Sequence, residues 1–406
     1  MRILIQGTPL LVNIGDNSML KTTVVRLQEL CPEASLEVIT TQPGPLIDYL
    51  PNVKAVVCKK PSHWFGLRDR LRNWMPKKTR QNLIALKNDV GTIIPSTIYI
   101  DKTLLATLNQ VDSLVLTGSG IMTDIFMGSA LRRLELLEKA IYAKKTTVIF
   151  GHGFGPVEHP KLIKQMKAVL PKVDLICLRE RLNSLPLLLK CGVEPSKIMI
   201  TGDDAIEMAY LARANVLGDH IGINLRVSIG SELSFDESPF KIDIRTALHE
   251  VANRYNISLI PIPIDNSDHL TIKKLLQISN PIKHLTTPQQ VIEEIKQCRV
   301  VVTGSYHAAV WALSQGIPAI GLVKSSYYDY KFAGLADQFG GGCEVVFLDD
   351  PQLREKLELV LENALQNAQK NQSNLLQKAQ LQIQASRSAY QKFYELISTN
   401  QISQVG

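Results

Sequence analysis

The segment Val300-Val301-Val302-Thr303-Gly304-Ser305-Tyr306-His307-Ala308-Ala309 reads as a buried strand running directly into a helix, with Ser305 and His307 in the first helical turn. A helix N-terminus offers free N–H groups and the positive end of the helix dipole, so this is a good place for an anion. An imidazole titrates near neutrality and can serve there as a general acid. The plainer reading is a histidine that caps the helix or packs under the next loop. Near the other end of the chain, Asn13-Ile14-Gly15-Asp16 opens a helix after the first strand. Gly15 permits close backbone approach, and Asp16 either caps the helix or binds a substrate hydroxyl. Thr117-Gly118-Ser119-Gly120, followed by Asp124, and Gly151-His152-Gly153-Phe154-Gly155-Pro156 are glycine-rich turns on the same sheet edge. His152, between two glycines, is poorly shielded and suits ligand contact, or else bonds a nearby carbonyl.

Arginine and lysine complete the set. Arg179 ends the run Leu175–Leu178, where a guanidinium can grip a carboxylate or phosphate bidentately. It can equally pin a helix through an ion pair with Glu180 or another acid. Arg226 ends the run Ile221–Leu225, and Lys324 and Lys331 bracket Tyr327, Tyr328 and Tyr330. These lysines either complete an anion pocket or are solvated surface charges. Thr201-Gly202-Asp203-Asp204 places two acids in one irregular turn, where neighbouring side chains often diverge. Capping or hinge hydrogen bonds fit that turn better than a metal.

Almost every one of these residues follows a strand, and in open α/β sheets ligands bind beyond the carboxyl ends of strands. Strand patterns occupy Arg2–Gln6, Leu36–Thr40, Ala55–Cys58, Ser113–Leu116, Thr146–Phe150, Leu175–Leu178 and Ile198–Thr201. Helical patterns lie between them, for example Ser18–Cys31 and Ser129–Ala143. A second series follows: Ile221–Leu225, Ser258–Pro261, His284 to about Thr286, Val300–Thr303 and Ala319–Leu322, with helices such as Asp243–Tyr255, Pro288–Gln297 and Ala308–Gln315. Such alternation predicts parallel sheets covered by helices on both faces. The expected fold is α/β, with two Rossmann-like domains facing a cleft, residues 1–205 and 219–350, and a hinge in Ala205–Gly218. From Pro351 to about Ser398, Leu353, Leu357, Val360, Leu361, Ala364 and Leu365 keep helical spacing, predicting one or two long helices, residues 351–398, that pack back on the first domain.

A chain of 406 residues exceeds what one core usually organises. No run approaches the roughly 20 apolar residues of a membrane-spanning helix. The start, MRILIQGTPLL, enters a strand pattern directly, so no signal peptide is expected. The six cysteines form no CxxC pair, which fits a reducing, cytoplasmic compartment. Between Lys59 and Lys87 nine cationic side chains face the single carboxylate Asp69, against a net charge of +7 for the whole chain. Within this basic insertion, residues 59–100, Trp64, Phe65, Trp74 and Met75 are interspersed. That composition suits a peripheral contact with the anionic inner face of a membrane or with a lipid-linked substrate. It also suits a solvated, locally folded insertion. Nucleic acid is not an expected partner, because no recognition motif accompanies the charge.

As an ordered set, NIGDNSML, TGSGIMTD, GHGFGP, LRERLNS, TGDDA, INLR and GSYHAAVWALSQGIPAIGL followed by YDYKFAGL resemble the polysaccharide pyruvyl transferase family over roughly Met1–Gly340, apart from the basic insertion. The resemblance implies an architecture similar to two-domain glycosyltransferases of the B type, whose last helix crosses back to the first domain. It implies transfer of pyruvate from phosphoenolpyruvate to two hydroxyls of a sugar or lipid-linked glycan, forming a ketal, with no metal or redox cofactor. By motif, Arg179 and His307 are the expected catalytic residues, His307 delivering a proton to the enol methylene. Arg226, Ser305, Lys324, Lys331 and His152 would hold the donor, and Asn13, Asp16 and Asp124 the acceptor. One position departs from the family pattern: the arginine two residues before the histidine is Ser305, so Lys324, Lys331 or Arg226 would have to substitute for it. Two other functions suit the same cleft: glycosyl transfer from a nucleotide sugar, its diphosphate held by His307, Arg226 and Lys331, and glycan or nucleotide binding without turnover.

Overall fold

The structure is a computed structural model that describes residues 1–8, 11, 13–58, 100–226, 239–265 and 268–405. The basic run Lys59–Lys87, with the membrane or lipid-linked contact expected of it, lies outside the described residues.

Two parallel sheets carry the chain. The first contains β1 (Arg2–Gln6), β2 (Ser35–Thr40), β3 (Lys54–Val57), β4 (Ser113–Leu116), β5 (Ser119–Met122), β6 (Thr146–Phe154), β7 (Leu175–Leu178) and β8 (Ile198–Ile200). Their order is β3-β2-β1-β4-β6-β7-β8, with β5 paired beside the far end of β6. The second contains β9 (His220–Asn224), β10 (Ser258–Pro261), β11 (Cys298–Thr303), β12 (Ala319–Val323) and β13 (Cys343–Phe347), ordered β10-β9-β11-β12-β13. In each sheet the strand order reverses beside the first strand, β1 or β9, which opens a crevice at the strands' carboxyl ends. Strands such as β4, β7 and β12 are buried along their whole length, as expected of sheets covered on both faces.

Six helices matter for the site: α1 (Ile14–Leu30), α2 (Met127–Tyr142), α3 (Ile206–Ala212), α4 (Tyr306–Ser314), α5 (Ser326–Phe339) and α6 (Leu353–Val405). The proposed hinge stretch contains α3, whose Ile206 and Ala209 are buried with Trp311 and Leu313 of α4. The C-terminal tail is a single helix of 53 residues rather than two. Leu353, Leu357 and Leu361 join the core of the second sheet, Ala368, Leu375 and Ala379 pack with α3 and α4, and Tyr390 and Phe393 enter the core around β1. This helix therefore crosses from one domain to the other, and the molecule is a pair of Rossmann-like domains of the B type.

Two strand expectations need correction, and two strands were not expected. The segment His284–Thr286 is not a strand. Leu285 is buried, and Thr287 caps the next helix through a reciprocal bond with Gln290. Strand β6 does not stop at Phe150 but continues through the glycine-rich run to Phe154. Gly151, at φ +50°, absorbs a register shift between Ile149 and His152, a bulge that lets pairing resume. Strands β5 and β13 have no counterpart in the sequence reading. β13 is an edge strand carrying Glu344, and β5 has glycine at its second position, so neither shows a strong strand pattern.

Candidate functional site

The carboxyl ends of the two sheets face each other, and the helix N-termini that follow β1 and β11 meet. His307, in the first turn of α4, packs so closely on Gly15, in the first turn of α1, that a Cβ at Gly15 would overlap the imidazole ring. Glycine at that position is a condition for the domains to close. The two helix starts differ. Asn13 caps α1, its Oδ1 accepting from Gly15 N at 2.9 Å and Asp16 N at 3.2 Å. Ser305, at the cap position of α4, makes no side-chain cap. Its N–H instead donates to Thr303 Oγ1 at 2.8 Å.

A cationic group assembles beside this junction. Arg179, at the end of β7, is buried with its guanidinium 4.3 Å above the Tyr306 ring and Nη1 3.8 Å from Asp203 Oδ2. Glu180 does not pair with it but accepts from the Asn183 and Ser184 N–H groups, capping the next helix. Lys331 reaches in from α5 with Nζ 3.9 Å from the centre of the Tyr327 ring, and Tyr327 Oη donates to Gly120 O at 3.0 Å across the cleft. A Cβ at Gly120 would fall 2.6 Å from Arg179 Nη2 and 2.8 Å from Lys331 Cε. The two cations, one from each domain, thus converge over one bare backbone position. Arg181–Asp337 at 2.9 Å and Asn183 Nδ2 donating to Tyr330 O at 3.0 Å tie the same rim together.

Crowding and burial shape the charges. Burial, with Arg179, Lys331 and Arg226 adding to it, holds His307 well below the usual imidazole range. The donor-free imidazole is therefore neutral near pH 7, and the proton that the sequence reading assigned to it is not held at rest. Burial, Arg179 and Arg226 likewise lower Lys331, against Asp16 and Asp203. Burial raises Asp16, opposed by Lys331, Thr8, Arg133 and Arg179. Asp203 is pushed up to about 6 by burial, with Arg179 and the Ala205 N–H opposing. Arg226 is raised. Burial opposes that shift, but Asp268, Tyr328 and Asp265 outweigh it, and both carboxylates lie 3.5 Å from its guanidinium.

The other expected residues divide. Asp16 is not the cap of α1; Oδ2 accepts from Thr8 Oγ1 at 3.1 Å, and the carboxylate faces the cations. Asn13 spends its carbonyl on the cap. His152, fully buried in β6, shares Nδ1 with Thr117 O at 3.1 Å, while Nε2 has no partner. Burial, Arg133 and Arg179 keep it neutral. Asp124 accepts through Oδ2 from the N–H groups of Glu158 at 2.7 Å and His159 at 3.0 Å, a backbone-pinning role. Lys324 is exposed at the end of β12. Among the described residues no group of three or more His, Cys, Asp or Glu side chains is arranged to hold a metal ion.

One residue escaped the sequence reading, and another was read only in part. Arg133, in α2, is buried, donates Nη2 to Gly7 O at 3.2 Å and leaves Nε unbonded. Burial pushes it down to about 10, with Asp16 opposing, so it stays charged near neutrality. Its signal was a cation on the helix face shared by Ala130, Leu137 and Ala140, all buried. Asp203 was assigned a capping role. It has one, Oδ1 accepting from Ala205 N at 2.9 Å, but Oδ2 faces the cleft. Its neighbour Asp204 turns the other way, bonded to Arg26, Ser386 and Tyr390.

Solved structures share this architecture at low identity. UDP-GlcNAc 2-epimerase from Neisseria meningitidis, bound to UDP-GlcNAc, aligns with a TM-score of 0.59 at 13% identity, covering 97% of this chain and 100% of that one. Arabidopsis thaliana UGT89C1, complexed with UDP, aligns with a TM-score of 0.59 at 11% identity over 98% and 99% of the two chains. A putative UDP-N-acetylglucosamine 2-epimerase from Listeria monocytogenes gives 0.57 at 13% identity over 95% and 93%. At these identities the likeness shows the fold alone. No curated protein sequence matches the chain. A family model described as polysaccharide pyruvyl transferase matches residues 13–326, a span that runs from the Asn13 cap through Arg179 and His307 to the start of α5, and the chain belongs to the polysaccharide pyruvyl transferase family.

Proposed function

We propose that the protein transfers a pyruvyl group from phosphoenolpyruvate to two hydroxyls of a sugar in a glycan or glycan precursor, forming a ketal. The observation that carries this reading is the convergence of Arg179 and Lys331 over Gly120, beside the uncapped start of α4 and His307. Phosphoenolpyruvate is a compact polyanion. It calls for cations and free N–H groups within a few ångströms of one another, and the cleft offers both. Lys331 of α5 and Arg226 just beyond β9, the latter shared with Asp265 and Asp268, are both close enough to depress His307 and are the basic groups proposed to take the place of the charge that Ser305 lacks. The bound anion in turn repays the cost of gathering cations in a buried site. Asp16, on the first-domain side, accepts from an acceptor hydroxyl. Each transfer moves two hydroxyl protons, and His307 is one of the groups that handles them.

A second reading is glycosyl transfer from a nucleotide sugar, favoured by the fold shared with proteins solved with UDP-GlcNAc or UDP. The experiment is a ligand-dependent melting curve followed by a phosphate-release assay with methyl glycosides of common hexoses as acceptors. Phosphoenolpyruvate at millimolar concentration raises Tm and is consumed, whereas UDP-sugars do neither. Protection by a UDP-sugar alone would replace this proposal with the second reading.

A further inference from the structure

Asp203 is a buried carboxyl with one oxygen committed and one free. Oδ1 accepts from Ala205 N and starts α3. Oδ2 has no hydrogen-bond partner, nor has His307 Nε2, which lies 3.9 Å away. That distance is too long for a hydrogen bond. Two buried polar atoms therefore face each other across a gap that Arg179 Nη1 flanks at 3.8 Å from Asp203. The other nitrogen of His307 packs on the Gly15 backbone, so Nε2 is the ring atom turned toward the site. A pair of proton-handling groups left open in a buried cleft has no structural reason to be unsatisfied.

We propose, building on the pyruvyl-transfer reading, that Asp203 Oδ2 gives the proton to the donor's methylene carbon and that His307 Nε2 takes the proton of the attacking hydroxyl. The cycle balances with these two groups alone. The π pair of the enol takes the Asp203 proton, making the methyl group. The first hydroxyl oxygen bonds to the adjacent carbon, and its proton goes to His307. The bond from that carbon to the phosphate oxygen then breaks, the electron pair leaving with phosphate, which collects the His307 proton. The second hydroxyl oxygen closes the ketal and returns its proton to Asp203. Charges agree with this direction: the carboxyl is pushed up to about 6, while the imidazole is held well below its usual range. The groups facing Asp203 are Arg179, His307, Tyr306, Lys331 and Asp16, besides its neighbour Asp204. A donor anion that neutralises Arg179 removes a force lowering Asp203 and keeps its proton in place.

The test is Asp203→Asn, because the amide oxygen can still accept from Ala205 N and preserve the start of α3. Phosphate release from phosphoenolpyruvate is measured against pH, with methyl hexosides as acceptors and with water alone, alongside the melting shift given by phosphoenolpyruvate. For the unmodified protein, kcat falls as pH drops through the His307 value and falls again as pH rises above the Asp203 value, giving an optimum on the acidic side of neutrality. Asp203→Asn lowers kcat about 10²–10⁴-fold, loses the high-pH fall, and keeps its melting shift and KM within a few fold. Asp203→Glu recovers part of the rate. The inference is overturned if Asp203→Asn retains kcat within a few fold, or if the high-pH fall persists in it. A protein that neither binds nor consumes phosphoenolpyruvate would instead overturn the pyruvyl-transfer reading, an outcome visible without any variant.

Discussion

Asp203 and Asp204 are adjacent, and they belong to two polar clusters built on opposite terms. Asp204 sits in a closed network behind the cleft. Its Oδ1 accepts from Arg26 at 3.0 Å and Ser386 at 2.7 Å, and its Oδ2 from Tyr390 at 3.0 Å. Arg26 also bonds Glu207, which binds Arg387, and Tyr390 bonds Thr23. This network joins α1, α3 and α6. The Asp203 cluster joins the two domains at the cleft with separations near 3.8–3.9 Å and unbonded atoms on Asp203 and His307. Saturated buried charges fix a structure, whereas unsaturated ones wait for a ligand. On the proposed mechanism, two carboxylates from one turn are thereby divided between holding the domains and meeting the substrate.

The comparison breaks most visibly at Arg26. Arg26→Ala leaves Asp204 buried without its ion-pair partner and Glu207 with Arg387 alone, a change of the kind that costs about 3–5 kcal/mol. Urea unfolding should show a correspondingly lower midpoint. An unchanged midpoint would mean that the closed network does not hold α6 in place. In the open cluster the effects fall on rate. His307→Gln should lower kcat about 10²–10⁴-fold while moving the urea midpoint much less than Arg26→Ala does. Equal losses of stability in the two variants would erase the distinction between clusters.

The open cluster also predicts how stability depends on pH. Asp203 titrates at about 6 in the folded protein against an ordinary value of 3.8. The folded state thus prefers the protonated acid. This contribution is fully present below pH 3.8 and is lost as pH rises through about 6. The difference between those two values corresponds to roughly 3 kcal/mol. Asp203→Asn should remove that part of the decline in Tm between pH 4 and pH 7. An unaltered decline would place the titration elsewhere.

Much of the open cluster was legible because its residues follow strands. Thr303-Gly304-Ser305-Tyr306-His307 and Asn13-Ile14-Gly15-Asp16 announce their own local geometry, and apolar runs such as Leu175–Leu178 place Arg179 at a strand end. The closed network was not legible, because its partners lie far apart in sequence. Asp204 meets Ser386 and Tyr390 only because α6 runs 53 residues back across both domains. Nothing local to TGDDA distinguishes its two acids. Arg133 was missed for a related reason: only the tertiary fold brings it under Gly7 and beside Asp16. Strand β6 was cut short because glycines ordinarily punctuate strands, and here a bulge at Gly151 carries pairing through them.

The mildest change tests what the open cluster is open for. Ser305 is nearly buried at the start of α4 and adds no charge. Ser305→Arg restores the cation of the family pattern in a cleft where Arg179, Lys331 and Arg226 already depress His307. Without donor, a further positive charge adds to the repulsion among these cations, so Tm should fall by a few degrees. A bound phosphoenolpyruvate reverses the balance, since a hydrogen bond to a charged group contributes about 1.5–3 kcal/mol. Taking the lower end, because Lys331 and Arg226 already serve that charge, calorimetry should give a Kd about tenfold tighter, with Tm recovered at saturating donor. Weaker binding of phosphoenolpyruvate in Ser305→Arg would instead mean that Tyr306 and Lys331 have reshaped this corner for a different anion. The absence of the arginine would then reflect a change of donor rather than a cation moved to α5.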